Sequence, residues 1–159
     1  MRHLPLFFDV TGRAVVVVGE GPAADRRVAL ARAAGADVRQ CPAATAQDLA
    51  GAVAVFVATG DIESDRDARR VARAAGLPVN VVDRPELCDF IMPAIVDRDD
   101  VVVAISTGGA SPTLAASLRA RIEAVLPERI GDLARLAQSF RAQVNALIGD
   151  AGQRRRLWR

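Results

Sequence analysis

Two glycines follow a run of valines near the start of the chain and precede a segment rich in Ala and Arg. The pattern G-x-G-x-x-A begins at Gly19, directly after the four valines of residues 15–18. In a dinucleotide-binding turn the first glycine allows the tight turn and the second lets a pyrophosphate approach the backbone. Amides at the helix N-terminus then bind the phosphates. The sequence predicts nucleotide binding at Gly19, Gly21, Pro22 and Ala23; a turn that only closes a strand–helix corner is the alternative.

A carboxylate, Asp83, follows another apolar segment, residues 78–82. At the carboxyl end of a buried parallel strand, a side chain faces the crevice in which open α/β sheets bind ligands. There Asp83 could remove a proton from a substrate or stabilise a developing charge. An aspartate that only caps the loop after the strand is the alternative.

A second glycine-containing loop, STGGASP, covers residues 106–112. Ser111 is of the type that caps helices, and Pro112 suits the first helical position, so the loop should lead into a helix. The residues beyond it carry apolar side chains at helical spacing. Such stripes predict amphipathic helices whose apolar faces form a core or a dimer contact.

Strands and helices alternate through the first half of the chain and would position these candidate residues. The strands are predicted over residues 14–18, 36–41, 53–58 and 78–82, and the helices over residues 23–34, 42–51 and 63–75. This alternation predicts a parallel, Rossmann-like α/β sheet. A hairpin is predicted over residues 90–96 and 101–106. We therefore expect a Rossmann-like domain with a terminal strand pair over residues 1–106 and a helical subdomain over residues 107–159.

The amino-acid composition limits the reactions and binding partners that the chain could have. The chain has 159 residues, enough for one domain with a substantial core. All 21 basic residues are Arg and Tyr is absent, which excludes Schiff-base chemistry and Tyr/Lys dehydrogenase catalysis. A net charge of +2 is too small for nucleic-acid binding. Two Cys and one His without ligand spacing predict no metal site. No apolar run approaches the ~20 residues of a spanning helix, so we expect a cytoplasmic protein without a membrane partner.

Several motifs occur in the order found in precorrin-2 dehydrogenases. They are HLPLFF (3–8), VGEGPAA (18–24), VAT (57–59), NVVD (80–83), FIMP (90–93), VAISTGGASP (103–112) and RRRLW (154–158). The chain resembles this family, which forms the dehydrogenase/ferrochelatase module of siroheme synthases, nearly from end to end. The resemblance implies NAD-dependent oxidation of precorrin-2 to sirohydrochlorin, often followed by insertion of ferrous iron as a substrate. It also implies a homodimer formed through the part after the sheet.

The resemblance assigns roles to particular residues. It implies that Asp83 is the catalytic residue, and that NAD is held by the glycine turn, the loop near Ala43 and Thr59 after the third strand. The tetrapyrrole carries many carboxylate arms, which the second loop suits through its backbone amides and hydroxyls. The expected substrate-binding residues of that loop are Thr107, Gly108, Gly109 and Ser111.

Two departures from the family bear on the nucleotide. The family usually has another helix and strand, about twenty residues, between the second strand and VFVAT, and this chain lacks them. In the Rossmann order the lost strand is an edge strand, so the central sheet should survive. The acidic residue expected about 20 residues after the glycines is also replaced, by Cys41 and Pro42. We therefore expect weakened NAD binding.

Two other functions remain as alternatives. The missing segment favours a regulatory relative that binds a tetrapyrrole or a nucleotide without turning it over, whereas Asp83 and the second loop favour the enzyme. A plain Rossmann dehydrogenase for a small substrate would lack a catalytic His, Tyr or Lys.

Overall fold

The computed structural model describes residues 3–158, which divide into two compact units between Met92 and Pro93. Each unit is described by itself below. The sequence placed this boundary later, after Ser106, because it grouped the strand pair with the sheet. In the structure the strand pair belongs to the second unit, since its contacts are with the helices that follow it.

The first unit is a four-stranded parallel sheet with helices on both faces. Its strands are β1 (Ala14–Val18), β2 (Asp37–Cys41), β3 (Ala52–Val57) and β4 (Val79–Val81), and its helices are α1 (Pro22–Ala33) and α2 (Ile62–Ala74). The strand order is β2-β1-β3-β4, and every pairing is parallel. The Rossmann-like prediction is confirmed, and so is its shortening, because β2 forms the edge beside β1.

The core lies on both faces of β1. All five residues of β1 are buried, which explains why its sequence is a run of valines rather than an alternating pattern. Val15 and Val17 pack on the α1 side with Val28 and Phe56. On the other face, the cluster combines β1, β3, β4 and α2 residues with Leu49 from the segment between β2 and β3.

The segment between β2 and β3 was predicted to be a short helix over residues 42–51, and this prediction is wrong. The segment consists of bends and turns. The Asp48 carboxylate accepts hydrogen bonds from the Thr45 amide (3.0 Å) and hydroxyl (2.6 Å), a local pattern that competes with helix formation. Leu49, only 2% exposed, anchors the segment in the core. The chain thus crosses β1 by a compact turn with one apolar anchor.

The second unit combines a hairpin with three helices. Strands β5 (Ala94–Arg98) and β6 (Val101–Ile105) pair antiparallel, as predicted, and α3 (Pro112–Val125), α4 (Ile130–Leu147) and α5 (Ala151–Leu157) follow. Gly131 brings α4 close to the hairpin, since a Cβ there would clash with the Arg98 carbonyl oxygen. The helices described are all too short or too polar to cross a membrane.

Part of the apolar stripe on α4 is exposed. Leu133, Leu136, Phe140 and Leu147 have relative exposures of 59%, 54%, 48% and 85%. These side chains therefore do not serve as core within residues 3–158, which leaves the dimer-contact interpretation of the stripe.

Candidate functional site

The glycine turn joins β1 to α1 in the way that the motif predicts. Gly19 has a φ of 119°, and a Cβ there would clash with the carbonyl oxygen of Ala58 at the end of β3. Gly21 is the N-cap residue of α1, with φ 82° and ψ −172°, a region that is essentially restricted to glycine. No side chain caps α1 among the described residues, and Pro22 has no amide hydrogen. Ala24 is fully buried, so the amide of Ala23 is the one at this helix start that is open to an anion.

A cavity of about 500 Å³ lies beside this turn, at the carboxyl ends of β1, β2 and β3. Three of the predicted cofactor-binding residues, Gly19, Ala43 and Thr59, line it. Gly21, Pro22 and Ala23 lie at the start of the adjoining helix. The rest of the lining comes mainly from the segment after β2 and from α2, and comprises Val18, Glu20, Pro42, Ala44, Ser64, Asp67, Ala68, Arg70 and Val71.

The end of β2 offers the cavity no carboxylate, as the sequence predicts. Burial raises the pKa of the Cys41 thiol, and the nearby Asp48 charge raises it further, so the thiol stays neutral. The carboxylates that do line the cavity are Glu20, inside the glycine turn, and Asp67, which pairs with Arg70 at 3.2 Å. Sequence reasoning missed both. The sequence signal for Glu20 was its place in the glycine turn, between Gly19 and Gly21.

Thr59 reaches the cavity, but its hydroxyl is engaged inside the protein. The Oγ1 atom donates to Oδ1 of Asp65 at 2.7 Å and accepts from the Asp61 amide at 3.2 Å. The Thr59 amide also donates to the same Asp65 oxygen, at 3.3 Å. The Thr59 hydroxyl is therefore already hydrogen-bonded within the protein and is not free for a ligand in the cavity.

Asp83 lies at the carboxyl end of β4, where the sequence placed it. Its side chain is exposed, and its backbone has a φ of 60°. The turn is closed by a hydrogen bond from the Arg84 amide to the Val81 carbonyl oxygen, 3.3 Å long. A left-handed backbone at a residue other than glycine is uncommon and clusters at functional sites. The turn presents the Asp83 carboxylate to solvent.

The cation Arg27 lies close enough to Asp83 for the two charges to interact. The guanidinium of Arg27, on α1, stacks over the Phe56 ring at 5.7 Å, and Phe56 in turn meets Phe90 edge to face. Burial lowers the pKa of Arg27, the Arg26 charge lowers it further, and the Asp83 charge opposes this shift. No ion pair or hydrogen bond holds the Arg27 guanidinium within residues 3–158. Sequence reasoning missed this residue, because it reads as one of several surface arginines.

The second loop lies in the second unit, between β6 and α3. Ser111 caps α3 by accepting a hydrogen bond from the Leu114 amide at 3.1 Å, and Pro112 begins the helix, both as predicted. The Thr107 hydroxyl donates to the Ser111 carbonyl at 3.1 Å and accepts from the Ser111 amide at 3.2 Å. Both hydroxyls thus make local contacts. Gly108 and Gly109 have φ values of 64° and 86°, in the left-handed region that favours glycine.

Within the described part of the chain, no group of three or more His, Cys, Asp or Glu residues could hold a metal ion. The two cysteines, Cys41 and Cys88, are free, half-buried thiols.

Comparison with known proteins finds matches to family models in three consecutive segments. A model for NAD(P)-binding proteins matches residues 39–94, the central region of sirohaem biosynthesis proteins matches residues 99–124, and the sirohaem synthase dimerisation region matches residues 129–159. Siroheme synthases from Stutzerimonas stutzeri and Azotobacter vinelandii are 43% and 44% identical to 99% of the chain. The chain spans only 38% and 39% of their lengths.

The same alignments bear out the shortening. The match to the Stutzerimonas stutzeri protein extends over 179 positions, although the chain has 159 residues, so at least twenty positions of the relative have no counterpart here. Among solved structures, SirC, a precorrin-2 dehydrogenase, has the same fold, with a TM-score of 0.75 and 22% identity over 98% of this chain and 87% of that one. Over almost its whole length the chain is therefore similar to one part of the siroheme synthases, and it shares the fold of a precorrin-2 dehydrogenase.

Proposed function

We propose that the chain catalyses the NAD-dependent oxidation of precorrin-2 to sirohydrochlorin. The observation that carries this proposal is the exposed Asp83 carboxylate on a strained turn, in the same sheet as an uncapped, glycine-led helix N-terminus. The siroheme-related family matches and the precorrin-2 dehydrogenase fold support the same reaction. The cytoplasm is the location we expect for it.

The nucleotide would bind across the glycine turn. The amide of Ala23 would hold the pyrophosphate, and Gly19 and Gly21 leave room for its approach. Its adenosine half would occupy the 500 Å³ cavity, against Ala43 and Thr59. Because the end of β2 has no acid, the ribose hydroxyls would have only Glu20 or Asp67 as carboxylate acceptors. We expect weaker NAD binding than in a Rossmann site with the usual acid, and a low-micromolar affinity by calorimetry would contradict this expectation.

Oxidation of precorrin-2 removes a hydride and a proton. NAD, when bound, supplies the hydride acceptor. Asp83 would take the proton, since an ionised carboxylate is an acceptor only and the residue is exposed. The half-buried Arg27, whose charge interacts with that of Asp83, lacks an ion-pair partner among the described residues, so it would bind a carboxylate arm of the substrate.

The second unit would contribute substrate binding and the dimer. The hydroxyls of Thr107 and Ser111 make local contacts, and the Gly108 amide donates to the Ser106 hydroxyl at 3.0 Å, so we propose that the loop acts chiefly through the backbone of Gly109. The match of residues 129–159 to a dimerisation region and the exposed apolar stripe on α4 support a homodimer. Iron insertion is a separate proposal, in which ferrous iron is a substrate. It fails if sirohydrochlorin and ferrous iron give siroheme no faster with the protein than in buffer.

The test is anaerobic conversion of precorrin-2, followed at the sirohydrochlorin absorbance band with and without NAD. The informative variant is Asp83→Asn, and the matched control is Asp99→Asn, because Asp99 is also exposed and has a φ of 59° in the hairpin turn. We expect NAD-dependent turnover that Asp83→Asn lowers by about 100-fold or more and that Asp99→Asn preserves. Bound tetrapyrrole without turnover in the wild type would favour the regulatory relative, for which the missing twenty positions are the supporting observation.

A further inference from the structure

One buried carboxylate of the first unit has no role in the mechanism above. Asp65, in the first turn of α2, is 2% exposed. A buried charge is costly unless it is paired and hydrogen-bonded. The Asp65 carboxylate meets this requirement with both oxygens: Oδ2 accepts from Nε of Arg84 at 2.8 Å, and Oδ1 accepts from the hydroxyl and amide of Thr59.

The two partners of Asp65 belong to the two halves of the proposed site. Thr59 follows β3 and lines the nucleotide cavity. Arg84 follows Asp83 directly, and its amide closes the turn that carries Asp83. One carboxylate thus connects the end of β3 to the turn after β4.

The turn needs an anchor of this kind. Asp83 holds a left-handed backbone, and a strained conformation persists only when the surrounding contacts fix it. The turn's own closing bond is long, at 3.3 Å, whereas the Arg84–Asp65 bond is 2.8 Å and charge-assisted. The side chain of Arg84 is 30% exposed, so Asp65 supplies the buried end of the anchor.

We propose that Asp65 is a positioning residue, which holds the Asp83 carboxylate in its reactive orientation through Arg84. The inference rests on the proposed function of Asp83 and adds a residue that acts on it from a different helix. Loss of the anchor lets the turn relax and moves the carboxylate away from the bound substrate. A displacement of about 1 Å at a reacting group can lower a rate by about 100-fold.

The test compares Asp65→Asn and Arg84→Gln with Glu63→Gln. Glu63 is the matched control, because it lies on the same helix as Asp65 and, like Asp65, pairs with an arginine. Its partner is Arg66, at 2.7 Å, and the pair lies on the exposed surface. We expect Asp65→Asn and Arg84→Gln each to lower kcat by between 10-fold and 100-fold, with KM for NAD changed by less than about threefold. The double variant should be no slower than the slower single variant, because both remove the same contact. Glu63→Gln should match the wild type.

Each outcome decides the proposal. A kcat within threefold of wild type in a folded Asp65→Asn protein overturns it, and so does a loss that appears only in KM. If Asp65→Asn does not fold, the partly exposed Arg84→Gln is judged by the same criteria. If the wild type does not oxidise precorrin-2, the proposed function fails separately. Hydrogen exchange at the backbone amide of residue 84 then decides. Exchange at least tenfold faster in Arg84→Gln than in Glu63→Gln supports the anchor, and equal rates overturn it.

Discussion

Substitution of the first glycine of the nucleotide turn tests the geometry that joins β1, β3 and α1. In Gly19→Ala the new methyl group would meet the Ala58 carbonyl carbon at 2.6 Å and the Thr59 nitrogen at 3.0 Å. Both atoms belong to the backbone directly after β3, where the Ala58 amide donates to the Val18 carbonyl oxygen at 2.8 Å, so neither moves aside without disturbing the contact between β1 and β3. The positive φ of 119° adds strain of its own.

The magnitude follows from two terms. A positive φ costs an alanine about 1 kcal/mol or somewhat more, and overpacking against a rigid neighbour costs about 1–3 kcal/mol in addition. We therefore expect Gly19→Ala to lower the free energy of unfolding by about 2–4 kcal/mol. Gly12→Ala is the control for strain alone, because Gly12 has a φ of 65° and open space around its Cβ position. It should cost only about 1 kcal/mol.

Gly21→Ala separates stability from binding. Gly21 has a glycine-specific backbone but nothing within 4 Å of its Cβ position, so the methyl group would point into the space that a pyrophosphate needs. Urea unfolding and NAD calorimetry on the three variants give the comparison. We expect Gly19→Ala to be the least stable, and Gly21→Ala to lose NAD affinity beyond its modest loss of stability. A Gly19→Ala protein as stable as Gly12→Ala would refute the proposed close approach of β1 and β3.

Two further predictions concern the second unit and acid stability. Phe140→Asp, on the exposed stripe of α4, should shift the protein from dimer to monomer in sedimentation, whereas Gln138→Asp on the same helix should not; a monomeric wild type would contradict the homodimer. Hydrogen bonds from the Ser64 amide and hydroxyl lower the pKa of Asp61 below its usual value. The N-cap of α2 therefore stabilises the fold above the unfolded-state pKa and loses this effect as pH falls through the folded-state pKa. Asp61→Ala should flatten the acid limb of stability measured by thermal unfolding, and an unchanged limb would rule out this origin.

The sequence predicted the elements whose signals are local. The bounds of β1 were predicted as observed, because its run of valines ends directly at the glycine turn that begins with Gly19. The predicted α2 lies within one residue of the observed helix, whose N-cap and following Gly76 are both sequence signals. The helix prediction over residues 42–51 was wrong, because the conformation of this segment depends on the Thr45–Asp48 contact and on the short distance between β2 and β3 that it spans.

Asp65 shows why part of the site could not be predicted. It lies in a helix whose sequence, IESDRDARRVARA, has several acids that look alike. The retrospective signal is its helical spacing, since Asp65 shares one stripe with the buried Ala68 and Ala72. Its partners, however, come from the ends of two different strands, 6 and 19 residues away. Only the assembled sheet shows that this carboxylate serves both.

The two halves of the sheet differ in what the shortened chain retains. On the β3–β4 side, the turn of Asp83, its anchor and the neighbouring Arg27 are all built from elements that the chain keeps. On the β2 side, the proposed nucleotide cavity is bordered by an edge strand without a terminal acid and by the turn over residues 42–51. Loss of an edge strand therefore costs the fold little, because β1 remains buried between β2 and β3. Its consequence falls on nucleotide affinity and not on the acid–base group, so a weakened KM for NAD with a preserved dependence on Asp83 is the kinetic pattern that this architecture predicts.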